Sequence, residues 1–175
     1  MLKGLAKLIR AKNEVDAEIA AIVGRPAQLR NVREFIAATI FDIELEYPSA
    51  SSAFDGRFRG GSLAGKTANV KWYSKNEGLL DLDPLLHADF YLVFAGPRSA
   101  PASTRGETGS WLISSVFLFN AEALLRDAAT LGLRVGDATS VPRRAWDLAE
   151  LYPAQRNQTL LLTNAQRQEL SHFGP

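Results

Sequence analysis

The chain has 175 residues, a formal net charge of +1 at pH 7, no cysteine and two histidines. Its length fits one domain with a sizeable core, and the lack of cysteine excludes disulfides, thiolate metal sites and a thiol redox switch. No apolar run approaches a membrane span and the first residues lack a signal-peptide core, so we expect a cytoplasmic protein without membrane contact.

The first 27 residues are predicted to form a helical extension of a single-domain core at residues 28–175. Their apolar spacing indicates a short amphipathic helix that ends before Asn13. Asn13 is suited to cap a second helix, which Gly24 and Pro26 would stop. Because a short amphipathic helix must bury its apolar face somewhere, this stripe is also a candidate homodimer surface.

A third helix is predicted over Gln28–Glu46, because its apolar residues form one broad face. Alternating or apolar runs then predict strands at Phe54–Phe58, Thr67–Tyr73, Phe90–Ala95, Leu112–Phe119 and Thr159–Leu162. Further helices are predicted at Ala121–Leu131, at Arg143–Leu151 and after a capping box of Thr163 and Gln166. This order predicts an α+β fold: N-terminal helices and an antiparallel or mixed β-sheet meander flanked by helices.

The segment Gly60–Thr67, GGSLAGKT, matches the phosphate-loop pattern G-x-x-x-x-G-K-[ST]. A phosphate loop follows a buried strand and leads into a helix that begins at the Lys-Thr pair. Here Ala68, Val70 and Trp72 alternate with polar residues, which is the period of a strand. We therefore predict the turn of a β-hairpin and keep nucleotide binding at residues 60–67 as a third functional alternative.

Charge is unevenly distributed around this hairpin. Residues 56–76 contain basic side chains and no acid, whereas residues 77–89 contain acids and no Lys or Arg. A basic hairpin is suited to a nucleic-acid backbone, although exposed hairpins also use basic residues to stay soluble and to block edge pairing. The candidate nucleic-acid-binding residues are Arg57, Arg59, Lys66 and Lys75.

Four residues could carry phosphodiester hydrolysis. That reaction uses a divalent ion to polarise the phosphate and activate water, and magnesium prefers oxygen ligands. Asp55, Asn69 and Glu34 are the predicted ligands of Mg²⁺ or Mn²⁺, and Asp55, Lys71 and Glu34 are the predicted catalytic residues. Asn69 and Lys71 share a strand face, so they can face Asp55 across the hairpin while Lys71 positions or deprotonates the water.

Three of these residues also have a simpler interpretation. Asp55-Gly56 is a common turn pair, Lys71 fits a solvated strand face, and Glu34 fits a helix surface.

The order of Glu34 on a helix, Asp55 on the first hairpin arm and Asn69-x-Lys71 on the second resembles the PD-(D/E)xK nuclease superfamily. That resemblance covers residues 33–96 and implies a restriction-endonuclease-like core of a helix, a three-stranded meander, a helix and a further strand. Position 69 departs from the superfamily, which usually has Asp or Glu there. The strings GRPAQ, REFIA, FDIEL, DGRF, NVKWY and AGP also resemble a bacterial domain family of no known activity, over most of the chain.

Together these features predict a nucleic-acid-binding protein, with metal-dependent hydrolysis of phosphodiester bonds as its candidate activity. The alternative is a non-catalytic binding or interaction module, in which the hairpin and the loop Gly96–Ser110 recognise a partner. A divalent ion bound by Asp55 and the Asn69 side chain would favour the nuclease over the binding module.

Overall fold

A computed structural model describes residues 1–46, 54–85, 87–99 and 109–175. The helices are α1 (Leu2–Val23), α2 (Leu29–Phe41), α3 (Ala121–Thr130), α4 (Arg143–Ala149) and α5 (Asn164–Ser171). The strands are β1 (Ile43–Leu45), β2 (Gly56–Phe58), β3 (Thr67–Tyr73), β4 (Leu79–Leu80), β5 (Phe90–Ala95), β6 (Ser115–Asn120), β7 (Thr139–Ser140) and β8 (Glu150–Tyr152). Of the helices in these ranges, none is both long enough and apolar enough to cross a membrane.

Six strands form one mixed sheet in the order β1-β2-β3-β5-β6-β8. Strands β3 and β5 are parallel, and the other neighbours are antiparallel. The short strands β4 and β7 pair with each other outside this sheet. The expected α+β fold with a mixed sheet is therefore confirmed.

Helices cover both faces of the sheet. On one face, α2 and α5 pack against a core that includes Val70, Trp72 and Phe94. On the other face, α3 and α4 pack against a second core that includes Tyr91 and Phe117. Successive strand residues point to opposite faces. This is why every residue of β5, an uninterrupted apolar run, is buried.

The N-terminal elements differ from the prediction. Helix α1 is continuous through Asn13 rather than divided there. It ends at Val23 and is followed by Gly24, whose φ of 72° fits a glycine C-cap. Helix α2 stops at Phe41 instead of continuing to residue 46, because Asp42 adopts a left-handed conformation with φ of 52°. The residues beyond it form β1, which pairs with β2.

Several other boundaries also differ from the prediction. The predicted strands at residues 54–58 and 112–119 are observed as β2 and β6, and most of the loop Gly96–Ser110 lies outside the described residues. The helix predicted over residues 143–151 is shorter and leads into β8.

No strand forms at residues 159–162. There the Asn157 side chain organises the backbone, donating to the Leu118 carbonyl at 2.9 Å and accepting from the Thr159 N–H at 2.7 Å. The predicted capping box of Thr163 and Gln166 is confirmed at the start of α5.

Candidate functional site

The segment Gly60–Thr67 connects β2 to β3. Within it a short 3-10 turn spans Gly61–Leu63, and Thr67 is the first residue of β3. The Lys66 ammonium lies 3.0 Å from the Asp89 carboxylate. Because the chain continues from Lys66 into a strand, the hairpin prediction is confirmed, and the helix on which a phosphate loop depends is not found at this position.

Asp55 lies directly before β2, and its side chain accepts a hydrogen bond from β3 where β2 no longer pairs with that strand. Pairing between β2 and β3 reaches only Gly56 opposite Ala68. Beyond that pair, the Asp55 carboxylate accepts a 2.7 Å hydrogen bond from the Val70 N–H. Burial raises the pKa of Asp55, while the Val70 N–H and the positive charge of Arg33 oppose that rise. The Asp55 side chain therefore continues the hydrogen bonding between β2 and β3 beyond their last paired residues.

Glu34 lies on α2 with its carboxylate buried between two guanidinium groups. One oxygen accepts from Arg25 at 2.7 Å, and the other accepts from Arg30 Nε at 2.8 Å. Arg30 also reaches Asp55 Oδ1 at 3.5 Å. Arg30 therefore joins both carboxylates in one ion-pair cluster, which consists of Arg25, Arg30, Glu34 and Asp55.

The Lys71 side chain lies on the opposite face of the sheet from α2. Its ammonium is 5.3 Å from the centre of the Tyr91 ring, and Tyr91 belongs to the core that packs against α3 and α4. Burial lowers the pKa of Lys71, and the negative charge of Asp81 partly offsets this effect. Among the described residues, Lys71 forms no hydrogen bond or ion pair with Asp55 or Glu34. The structure thus unites two of the predicted catalytic residues and separates the third from them.

The ion-pair cluster does not fit a resident magnesium ion as it is arranged. Both Glu34 oxygens accept from arginines, and the Asp55 oxygens accept from the Val70 N–H and from Arg30. Asn69, the third predicted ligand, is on β3 with a neutral amide. In the described ranges, no three His, Cys, Asp or Glu side chains are grouped so that they could hold a metal.

Sequence reasoning did not identify the arginines of this cluster. Arg30 could have been found, because a basic residue four positions from Glu34 on one helix is a common ion pair. Arg25 gives no comparable signal. It precedes α2, and its contact with Glu34 depends on the turn between α1 and α2.

Two of the four predicted basic residues, Arg57 and Lys66, line a cavity at the β2–β3 hairpin. Arg57 lies over the Phe54 ring, with its guanidinium carbon 4.9 Å from the ring centre. Phe54, Arg57, Lys66 and His87 line a cavity of about 470 Å³, together with Asp89 and Glu122. Arg59 is exposed on the same hairpin. Lys75 is half-buried beyond the end of β3, outside this cavity lining.

Comparison with known proteins adds no family to this description. Family models give no match to the chain, and a search of the curated proteins gives none.

Proposed function

We propose that this protein binds nucleic acid through the β2–β3 hairpin and does so without hydrolysing it. The observation that carries the proposal is the placement of Phe54 beneath Arg57, beside a cavity that Lys66 and His87 also line. Proteins that bind single-stranded nucleic acid combine basic groups for the backbone with an aromatic ring on which a base can stack. A single-stranded segment fits this combination better than a duplex does.

The cavity also contains acids, which limits the expected affinity. Lys66 is paired with Asp89, and Arg57 Nε lies 3.9 Å from a Glu46 carboxylate oxygen. An incoming phosphate must compete with both pairs. Binding should therefore be moderate and should weaken steeply as salt is added.

The order of elements supports a nuclease-like ancestry for the site. Helix α2 is followed by the antiparallel strands β1, β2 and β3 and then by β5 parallel to β3, which is close to the order that the superfamily resemblance implies. One departure lies between β3 and β5: the described residues of that connection include β4 and no α-helix.

Binding without hydrolysis is also consistent with the ion-pair cluster, because arginines already neutralise the two carboxylates that a nuclease would use. In this proposal Glu34 and Asp55 stabilise the domain rather than acting on the substrate.

Fluorescence anisotropy with labelled single-stranded and duplex oligonucleotides tests the proposal. We expect single strands to bind more tightly, with a linear loss of log affinity against log salt concentration. Arg57→Glu and Arg59→Glu should each weaken binding and reduce that slope. Arg134→Glu is the matched control, because Arg134 is an exposed arginine outside the hairpin.

Absence of binding to either oligonucleotide at low salt would reject the proposal. The protein-interaction module would then be the remaining function. Hydrolysis that requires a divalent ion and disappears in Asp55→Ala would instead support the nuclease.

A further inference from the structure

Helix α1 has a long apolar surface that the described part of the chain leaves largely uncovered. None of its 22 residues is buried. The described core reaches only its C-terminal part, where Ile19, Ala20 and Val23 are half-buried near α2. Its large exposed apolar side chains are Leu2, Leu5, Leu8, Ile9, Val15 and Ile22. A helix that exposes so many large apolar side chains needs a partner surface.

The spacing of these residues is that of a two-stranded coiled coil. Starting from Leu5, the residues at alternating steps of three and four are Leu5, Leu8, Lys12, Val15, Ile19 and Ile22. This pattern assigns Leu5, Lys12 and Ile19 to position a of the heptad and Leu8, Val15 and Ile22 to position d. Leu2, Ile9 and Val23 occupy the flanking e positions and widen the stripe. The helix is about 33 Å long at 1.5 Å per residue, which gives room for three heptads.

Lys12 determines the orientation in which two such helices can pair. In a parallel pair, equivalent a positions meet, so Lys12 would face Lys12 of the second copy within the seam. In an antiparallel pair, a positions meet d positions, and the spacing places Lys12 opposite Val15 of the second copy. The antiparallel arrangement therefore places the two lysines in adjacent layers, each against a valine, instead of facing each other within one layer.

The charges along α1 favour the same orientation. Its first half contains basic residues and no acid: Lys3, Lys7, Arg10 and Lys12. The next turns contain acids and no base: Glu14, Asp16 and Glu18. This order opposes the helix's own macrodipole, because basic residues lie near the positive N-terminal end. An antiparallel neighbour offsets that disadvantage, since it brings an acidic half and a negative helix end alongside each basic half.

We propose that α1 is a dimerisation helix that pairs with α1 of a second copy as an antiparallel coiled coil. The predicted layers pair Leu5 with Ile22, Leu8 with Ile19 and Lys12 with Val15 of the second copy. This proposal is independent of nucleic-acid binding, because α1 contributes no residue to the β2–β3 hairpin or to the ion-pair cluster.

Sedimentation equilibrium of the full chain at increasing concentration tests dimerisation. We expect a reversible monomer–dimer equilibrium that Leu8→Asp weakens by about tenfold or more, because the change places a charge in two layers of the dimer. Leu161→Asp is the matched control: Leu161 is similarly exposed, at 63% against 69% for Leu8, but lies outside α1. A monomer at every concentration, including one that binds anionic vesicles through α1, would overturn the proposal.

Disulfide trapping tests the orientation, and the absence of native cysteines leaves a clean background. In the antiparallel dimer the two copies of residue 5 lie about 25 Å apart, too far for a disulfide. Leu5→Cys alone and Ile22→Cys alone should therefore not cross-link, whereas a mixture of the two variants should form a mixed disulfide. Cross-linking of each variant with itself, without the mixed product, would show a parallel pair and overturn the antiparallel arrangement.

Discussion

The Asp55 carboxylate accepts a 2.7 Å hydrogen bond from the backbone N–H of Val70, at the point where the pairing between β2 and β3 has ended. Val70 is fully buried, so its N–H has no access to solvent. An acidic side chain thus replaces a strand carbonyl at an interior position. Its stabilising role follows from geometry alone and does not require a ligand.

Removing this acceptor should destabilise the fold. Asp55→Ala leaves the buried Val70 N–H without its partner, which costs roughly 1–3 kcal/mol of unfolding free energy. Asp55→Asn retains a carbonyl oxygen and should lose less. Chemical denaturation measures both variants, with Asp137→Ala as an exposed-acid control. Equal stability of Asp55→Ala and the wild type would contradict this role.

The stability contributed by Asp55 should depend on pH in a defined direction. Burial raises its pKa in the folded state above the ordinary value of 3.8. At pH values between the pKa of the unfolded state and the raised pKa of the folded state, the folded protein binds more protons than the unfolded one. The free energy of unfolding therefore increases as the pH falls through this range. The wild type should therefore gain stability relative to Asp55→Asn as pH is lowered from neutral. Denaturation of both proteins across this range measures the difference; a change of opposite sign would contradict it.

Within the ion-pair cluster, Arg30 should couple more strongly to Glu34 than to Asp55. Its distance to Glu34 is 2.8 Å, against 3.5 Å to Asp55. Because the Arg30 side chain is 57% exposed, solvent weakens both interactions. Double-mutant cycles that combine Arg30→Ala with Glu34→Ala and with Asp55→Ala measure the two coupling energies. A larger coupling to Asp55 would require a different arrangement of the cluster.

Close packing of two chain segments near the ends of β3 and β5 gives a further prediction. A Cβ atom at Gly96 would lie 1.9 Å from the Ser74 carbonyl oxygen, so Gly96→Ala forces two backbones apart. We expect a large loss of stability in thermal denaturation. Gly4→Ala is the control: nothing lies within 4 Å of its added Cβ, and alanine favours a helix over glycine by up to about 1 kcal/mol. A Gly96→Ala protein of wild-type stability would contradict this packing.

The sequence predicted β3 and β5 at their observed bounds because each has an unambiguous pattern. Alternation defines Thr67–Tyr73, and an apolar run buried on both faces defines Phe90–Ala95. The three-residue strands β1 and β8 could not be recognised. Such short segments also fit the helices that precede them, and only pairing with β2 or β6 decides their conformation.

In the candidate site, too, the local pattern predicts some features, and tertiary packing decides the others. Residue order suggested that Glu34 and Asp55 approach each other, and Arg30 joins them in the structure. The strand period also predicted correctly that Asn69 and Lys71 share a face. The alternation of β3 does not say whether that shared face is the one on which α2 packs, because this depends on how the helix packs on the sheet. The position of Lys71 over Tyr91 could therefore not be predicted from the local pattern.

Metal binding remains a sharp test of the two functional alternatives. If the ion-pair cluster is structural, the wild type should show no saturable binding of Mn²⁺ in isothermal titration calorimetry, and oligonucleotide binding should not require a divalent ion. Arg30→Ala removes the guanidinium that engages both carboxylates. If the site retains a nuclease geometry, this variant should bind Mn²⁺ through the carboxylate oxygens that it frees, and Asp55→Ala added to it should abolish that binding. Binding by the wild type, lost in Asp55→Ala but retained in Asp137→Ala, would contradict a purely structural cluster and favour the nuclease.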